Sequence, residues 1–256
     1  MRYLFVRRPP VEYHNYTDVH VGVGKRYQQV FSLKPGLAMM WDLEQIVLRS
    51  ILAEFQPKRI LDFACGTGRI SSFIESEFPA PEIHGIDISE SMLEVARERA
   101  VRAQYHRMPV DEAVRHYGER SFDLVMAFRF FPNAEPALRN SVAESFTRLV
   151  SDDGVVLVNN HRNFWSTSYV GRRVIGQKPV GALNEDIERL FIDRGFRVIR
   201  KISLGVWPQG DTKASLLPWR AVAAVERMNL RALARRHTLG YNTIWLLSRG
   251  RGGDGS

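Results

Sequence analysis

The stretch that decides the fold runs from Arg59 to Ile70 and reads RILDFACGTGRI. It begins as a short apolar run that reaches Asp62, and Gly66 and Gly68 then space out a turn that opens onto a second apolar pattern. Glycine has no Cβ, so such a turn can take positive φ and let a ligand lie against bare backbone. Free amides at the start of the following helix then face that ligand. The pattern predicts a strand, a glycine turn and a helix start.

A second strand is predicted over the residues that read HGIDIS, from His84 to Ser89. It ends in an acid, Asp87, which is placed to accept the hydroxyls of a ribose. A glycine turn alone is a weak signal, because several kinds of nucleotide-binding sheet use one. The turn and the acid in register favour a nucleoside ligand over an ordinary α/β core.

Together the two segments resemble the class I S-adenosylmethionine (SAM) methyltransferases, whose first motif is D-x-G-x-G-x-G after a strand and whose second is a strand ending in Asp or Glu. Ala64 stands at the first glycine of that pattern. The resemblance implies an α/β fold, namely a doubly wound, mostly parallel sheet of seven strands with the last strand antiparallel and helices on both faces. It also implies SAM as the cofactor and S-adenosylhomocysteine (SAH) as the product.

The resemblance assigns roles around the cofactor. Gly66 and Gly68 would pass under the amino-acid end of SAM, and Asp87 would bind the ribose. Asp62 would support the turn or the SAM ammonium. Adenine recognition falls after the third strand, Ala103 to Met108, where the text MPVD departs from the family's acid followed by a small residue. The implied cofactor-binding residues are Asp62, Ala64, Cys65, Gly66, Gly68, Asp87, Ile88, Met108, Val110, Phe128 and Tyr27, with the Asp111 carboxylate as a further adenine candidate.

The domain organisation follows from the same family resemblance and from composition. An arm precedes the first helix, and it either closes over SAM as a lid, where aromatic faces would suit the sulfonium, or packs on the sheet. The last segment is a tail that composition marks as disordered. The boundaries are 1–36 for the arm, 37–204 and 242–249 for the SAM-binding domain, 205–241 for a helical insertion between strands six and seven, and 250–256 for the tail.

Composition and charge limit the kinds of function that this chain can have. The chain has 256 residues, a formal net charge of +8 and one cysteine, Cys65, which excludes a disulfide framework and a cysteine zinc site. Without an apolar run long enough for a membrane span or a secretory signal, we expect a cytoplasmic protein. The basic excess suits nucleic acid, an anionic membrane, an acidic substrate or a solvated face. Nucleic acid is disfavoured, because no accessory RNA-binding module is recognisable.

The acceptor side is predicted after strands four and five, Ser121 to Phe128 and Val155 to Val158, whose ends meet at one edge of the sheet. The fifth strand leads into NNHRNFW. His161 is the predicted base, since its unperturbed pKa of about 6.5 suits neutral conditions, although a hydrogen-bonded structural histidine is the alternative. Arg129 and Asn160 are predicted to orient the acceptor. No carboxylates cluster there, so we expect no metal and metal-independent chemistry.

The function predicted is methyl transfer to an oxygen, nitrogen or carbon atom of a small-molecule or lipid-like acceptor. The alternatives are an RNA methyltransferase or other nucleic-acid binder, and a SAM-binding protein without turnover. In the insertion, Val222, Val225 and Met228 recur on one side of a helical pattern and arginines gather on another. Residues 216–237 therefore either cover the catalytic edge or make a peripheral contact with an anionic membrane.

Overall fold

The computed structural model describes residues 34–178, 181–207, 218–232 and 238–249. Tyr27, the rest of the predicted arm before residue 34 and the tail 250–256 lie outside these ranges. In chain order the helices and strands are α1 (Pro35–Phe55), β1 (Arg59–Phe63), α2 (Arg69–Glu77), β2 (Glu82–Asp87), α3 (Glu90–Arg99), β3 (Gln104–Arg107), α4 (Val110–Tyr117), β4 (Phe122–Ala127), α5 (Pro136–Leu149), β5 (Val150–Asn160), α6 (Thr167–Val174), α7 (Asn184–Ile192), β6 (Phe196–Leu204), α8 (Trp219–Ala232) and β7 (Asn242–Arg249).

The strands form one seven-stranded sheet in the order β3-β2-β1-β4-β5-β7-β6. The pairs β1–β2, β1–β4, β2–β3 and β4–β5 are parallel, and β7 is antiparallel to both of its neighbours. The predicted fold class is confirmed. Strand order reverses between β1 and β4, so the crevice in which an open sheet of this kind holds its ligand lies beyond the ends of these strands.

Helices cover both faces of the sheet, which explains why its central strands are apolar throughout. On one face, α4, α5 and α7 enclose an aromatic core in which Phe63 stacks edge-on against Phe130 and Phe146, with ring centroids 4.9 and 5.6 Å apart. On the other face, α1, α2 and α8 pack over the same strands. The strand ends are thus held rigidly from both sides.

Two segments differ from the sequence pattern. The strand predicted at Val155 to Val158 runs from Val150 to Asn160, because the preceding helix ends at Leu149 and Val150 pairs with Phe122 of β4. The span predicted as a loop from Ser166 to Gly181 contains α6, whose first turn is capped by the Ser166 hydroxyl accepting from the Tyr169 amide at 3.3 Å.

The buried side of the insertion also differs from the apolar side that the sequence pattern predicts. Helix α8 packs against α1 and β6, with Val222 and Glu226 buried. The Glu226 carboxylate accepts from the backbone amides of Gly205 at 3.0 Å and Trp207 at 2.6 Å, so an acid faces inward. Met228, expected on the apolar side, is 66% exposed. No helix in the described part of the chain is long and apolar enough to cross a membrane.

Candidate active site

The glycine turn between β1 and α2 has left-handed backbone at three positions, with φ of +52° at Ala64, +55° at Gly66 and +66° at Gly68. A Cβ added at Gly66 would meet nothing within 4 Å, so this α-carbon borders open space. A Cβ at Gly68 would lie 2.7 Å from the Tyr105 hydroxyl and 2.9 Å from the Ala96 Cβ. Gly66 therefore leaves room for a ligand, whereas Gly68 allows the turn to pack against α3 and β3.

Asp87, at the end of β2, fastens this turn. One carboxylate oxygen accepts from the Gly66 amide at 2.9 Å and the other from the Ser89 amide at 2.9 Å. An ionised carboxylate has about four acceptor positions, so both oxygens retain capacity for ribose hydroxyls. The acid predicted to bind the ribose is thus also the acid that holds the ligand-facing amide of the turn.

Asp62, at the end of β1, is only 2% exposed. It accepts a hydrogen bond from the Ser71 hydroxyl at 2.7 Å. Burial raises the pKa of Asp62 to about 7, although the Ser71 hydrogen bond and the charge of Arg69 oppose the shift. The carboxyl therefore changes charge near neutral pH, and a cation bound beside it would favour the ionised form.

Two cavities adjoin at Asp87. The polar cavity runs along the glycine turn to Arg69, Arg129 and Asn133. The apolar cavity lies between Met108, Val110, Phe130 and Leu138, with Asp111 at its border. Ala64, Asp87 and Ile88 line both cavities.

This arrangement fits a nucleoside that carries a charged tail. A flat base suits the apolar cavity, the ribose would lie at the shared Asp87, and the tail would follow the polar cavity. Most of the predicted cofactor residues line these walls. The polar cavity contains Asp62, Ala64, Cys65, Gly66, Asp87, Ile88 and Phe128, and the apolar cavity contains Met108 and Val110. Gly68, in the described chain, borders neither.

The acceptor side of the polar cavity is held by a chain of buried hydrogen bonds, here called the polar relay. The Arg129 amide, at a φ of +63°, donates to Asn159 Oδ1 at 2.6 Å. Asn159 Nδ2 donates to Asn242 Oδ1 at 2.9 Å, and Asn242 Nδ2 donates to Glu44 Oε1 at 2.8 Å. Glu44 pairs with Arg69 at 3.3 Å. The relay thus joins two arginines that line the polar cavity.

Asn160, predicted to orient the acceptor, has a different role. It is completely buried, and its Nδ2 donates to the Ala182 carbonyl and to Asn184 Oδ1, each at 2.9 Å. Its Oδ1 accepts from the Arg162 amide at 3.0 Å. The first two bonds tie the end of β5 to Ala182 and to Asn184, the first residue of α7, and the third closes a local turn after β5. Asn160 therefore supports the structure at this strand end, and its contact with the acceptor stays a prediction.

His161, the predicted base, is 2% exposed and lines neither cavity in the described chain. Burial lowers the pKa of His161 well below its usual value, and the positive charges of Arg129 and Arg162 act in the same direction. The imidazole is therefore neutral at pH 7. Neither ring nitrogen has a hydrogen-bond partner among the described residues. The structure places His161 behind the cavity wall, and its role as base stays a prediction.

Sequence reasoning missed Glu44, Arg69, Asn242 and Ser71, whereas Asn159 belongs to the stretch NNHRNFW that was predicted on the acceptor side. One signal was available, because Glu44 interrupts the apolar face of α1, where a buried acid needs a partner. Asn242 carried no such signal, since it sits at a strand end that reads as loop. In residues 34–178, 181–207, 218–232 and 238–249, no group of three or more His, Cys, Asp or Glu side chains is arranged to hold a metal ion.

Comparison with known proteins gives the family. Residues 60–154 match the family model described as a methyltransferase domain. A demethylmenaquinone methyltransferase of Thermotoga maritima is 31% identical over 97 residues, 35% of this chain and 39% of the relative. A trans-aconitate 2-methyltransferase of Pseudomonas paraeruginosa is 40% identical over 53 residues, which are 21% of this chain and 19% of the relative. A malonyl-[acyl-carrier protein] O-methyltransferase of Bacillus cereus is 27% identical over 125 residues, 46% and 44%. The chain thus spans less than half the length of these relatives.

Solved structures show the same fold. A SAM-dependent methyltransferase from Archaeoglobus fulgidus superimposes with a TM-score of 0.56 at 14% identity, covering 81% of this chain and 94% of the other. A SAM-dependent methyltransferase from Thermotoga maritima gives a TM-score of 0.58 at 15% identity, covering 88% of this chain and 94% of the other. Fold and site define a Rossmann-like nucleoside-binding domain. Residues 60–154 thus match a methyltransferase domain, and the chain is similar to the class I SAM-dependent methyltransferases, whose cofactor is SAM.

Proposed function

We propose that this chain transfers a methyl group from SAM to an oxygen, nitrogen or carbon atom of a small-molecule or lipid-like acceptor, without a metal ion. The observation that carries the proposal is the Asp87 carboxylate at the point where the polar and apolar cavities meet. The relatives support acceptors of this kind, since they are a demethylmenaquinone methyltransferase, a trans-aconitate 2-methyltransferase and a malonyl-[acyl-carrier protein] O-methyltransferase.

The residues divide into donor and acceptor groups. Asp87 and the Gly66 backbone would hold the ribose and the tail of the cofactor, and Asp62 would balance positive charge at its end of the cavity. SAM, when bound, supplies a methyl group on a sulfonium that is a good leaving group. Arg129 and Asn133, which also line the polar cavity, would orient the acceptor in line with that methyl group. Such positioning alone supplies a large part of the rate.

The direct test is incubation of the purified protein with methyl-labelled SAM and a cell extract that is then separated into lipid, small-molecule, RNA and protein fractions. Label in the lipid or small-molecule fraction, with one SAH formed per methyl group transferred, is the expected result. The Asp87→Ala variant is the matched control and should transfer little. Label confined to RNA would favour the nucleic-acid alternative, and SAM binding without SAH formation in any fraction would indicate a binding protein without turnover.

A further inference from the structure

Helix α6 exposes an apolar outer face. Val174 is 81% exposed and Ile175, directly after the helix, is 71% exposed, while Val170 and Trp165 are 40% and 42% exposed. Residues four apart share one side of a helix, so Val170 and Val174 lie together. We call Trp165, Val170, Val174 and Ile175 the α6 surface. Contiguous apolar exposure of this kind marks an interaction site more often than an ordinary solvated surface.

The α6 surface belongs to a helix that is firmly held from within. Ser168 and Tyr169 are buried on the inner side, and the Tyr169 ring packs edge-on against Tyr241 with centroids 5.7 Å apart. The Thr167 amide donates to the Leu239 carbonyl at 3.0 Å. Because the inner face is satisfied by the protein, the exposed side chains do not result from a poorly packed helix.

Positive charge surrounds these apolar side chains. Residues 161–178 contain Arg162, Arg172, Arg173 and Lys178 and no aspartate or glutamate. The Arg173 guanidinium lies 4.0 Å from the ring centroid of Phe164 and 5.0 Å from that of Trp165. Apolar side chains with a tryptophan, flanked only by cations, have the composition that binds the headgroup region of an anionic bilayer.

The α6 surface is also on the side of the sheet where the acceptor must enter. Strand β5 ends at Asn160, at the same edge as the ends of β1, β2 and β4, and α6 follows seven residues later. Asn159, the preceding residue of β5, holds the Arg129 amide on the cavity wall. A bilayer in contact with α6 would therefore face the acceptor side of the site.

We infer that the α6 surface docks on an anionic lipid bilayer and that the acceptor is a lipid-like molecule taken from that bilayer. The second half of this inference rests on the proposed methyl transfer, and the first half does not.

Two other occupants fit the surface less well. Residues 1–33 of this chain carry five Lys and Arg against two Asp and Glu, so their charge has the same sign as that of the α6 surface. A protein partner usually receives its anchor side chains in a well-packed, desolvated pocket, whereas Val174 and Ile175 stand out from a helix end. A bilayer accepts such a ridge without matching its shape.

The test is flotation of the full chain with vesicles of equal parts phosphatidylcholine and phosphatidylglycerol at low and moderate salt. The double variant Val174→Glu with Ile175→Glu should lose at least about tenfold in partitioning, because two apolar contacts become anionic. The matched control is Val101→Glu, which changes another valine that is 81% exposed, between α3 and β3. It should partition within about twofold of the wild type, and pure phosphatidylcholine should hold the wild type weakly.

The other outcomes each decide against the inference. A wild type that never floats, or a double variant that floats equally well, removes it. Loss through Met228→Glu alone would assign the contact to α8, the other candidate membrane segment. Loss of a concentration-dependent dimer, or of a complex with a soluble acidic carrier protein, in the double variant would assign the α6 surface to a protein partner. Calorimetry of SAM on the same samples separates the two proposals, because a wild type that binds SAM but no vesicles fails only this inference.

Discussion

The two halves of the proposed active site are built in different ways. In the proposed donor half, residues 59–111, the backbone makes the site. Left-handed residues open the turn, and the carboxylate of Asp87 holds the Gly66 amide. In the acceptor half, residues 128–184, side chains make it through distant partners, such as Asn159 with Asn242, 83 residues apart. A local backbone turn depends on a few adjacent residues, whereas a buried side-chain network depends on residues that are far apart in the sequence.

The largest expected effect tests whether the donor half depends on backbone geometry. Gly68→Ala would place a Cβ against Tyr105 and Ala96 at a φ of +66°. We expect the free energy of unfolding to fall by about 2 to 5 kcal/mol, the sum of left-handed strain and overpacking. The control is Gly66→Ala, which has the strain without the clash and should cost about 1 to 2 kcal/mol. Urea unfolding measures both, and equal losses would contradict the packing role of Gly68.

The next effect tests the side-chain construction of the acceptor half. Asn160→Ala removes three hydrogen bonds, two of them buried, and should lower the free energy of unfolding by about 2 to 4 kcal/mol. Affinity for SAM should stay unchanged. Asn140→Ala, an exposed asparagine on α5, should cost less than about 1 kcal/mol. If instead Asn160→Ala unfolds like the wild type and loses kcat, Asn160 orients the acceptor after all and the contrast between the halves is wrong.

These differences explain what could be predicted from the sequence. The first strand, the glycine turn and the acid at the end of the second strand were predictable, because each depends on residues within a few positions of one another. The seven-stranded sheet with its antiparallel β7 came from the family resemblance. The burial of the stretch after β5 was not predictable, because polar residues after a strand suggest a solvated loop. Here Asn160 is wholly buried, satisfied by Asn184 and by a carbonyl 22 residues away. No residue close to Asn160 in the sequence indicates these partners.

A third prediction concerns the contribution of Asp87 to the affinity for SAM and SAH. Asp87→Ala should weaken SAM and SAH by about 1.5 to 3 kcal/mol, the scale of hydrogen bonds to a charged group. Asp186→Ala, which removes an exposed acid from α7, controls for the loss of one negative charge and should change neither affinity. Isothermal titration calorimetry gives both values. Unchanged affinity in Asp87→Ala would remove the ribose assignment.

The smallest effect concerns pH. The pKa of Asp62 is about 7 in the folded chain against an ordinary value of 3.8, so between these two pH values the folded chain holds a proton that the unfolded chain has lost. The contribution of Asp62 to stability therefore declines as pH rises from about 4 to about 7. If Asp62 faces the SAM ammonium, affinity should rise about tenfold from pH 6 to pH 8. Asp62→Asn should flatten this rise. An affinity that falls over the same range would place Asp62 away from the cation.

The measurement that tests the central claim most directly is calorimetric titration of the wild-type chain with SAH, SAM and NAD at pH 8. The donor half, as described, predicts one site per chain that binds SAH and SAM in the micromolar range and gives no heat with NAD. Binding of NAD, with no binding of either methyl-transfer ligand, would contradict the assignment of the joined cavities to SAM.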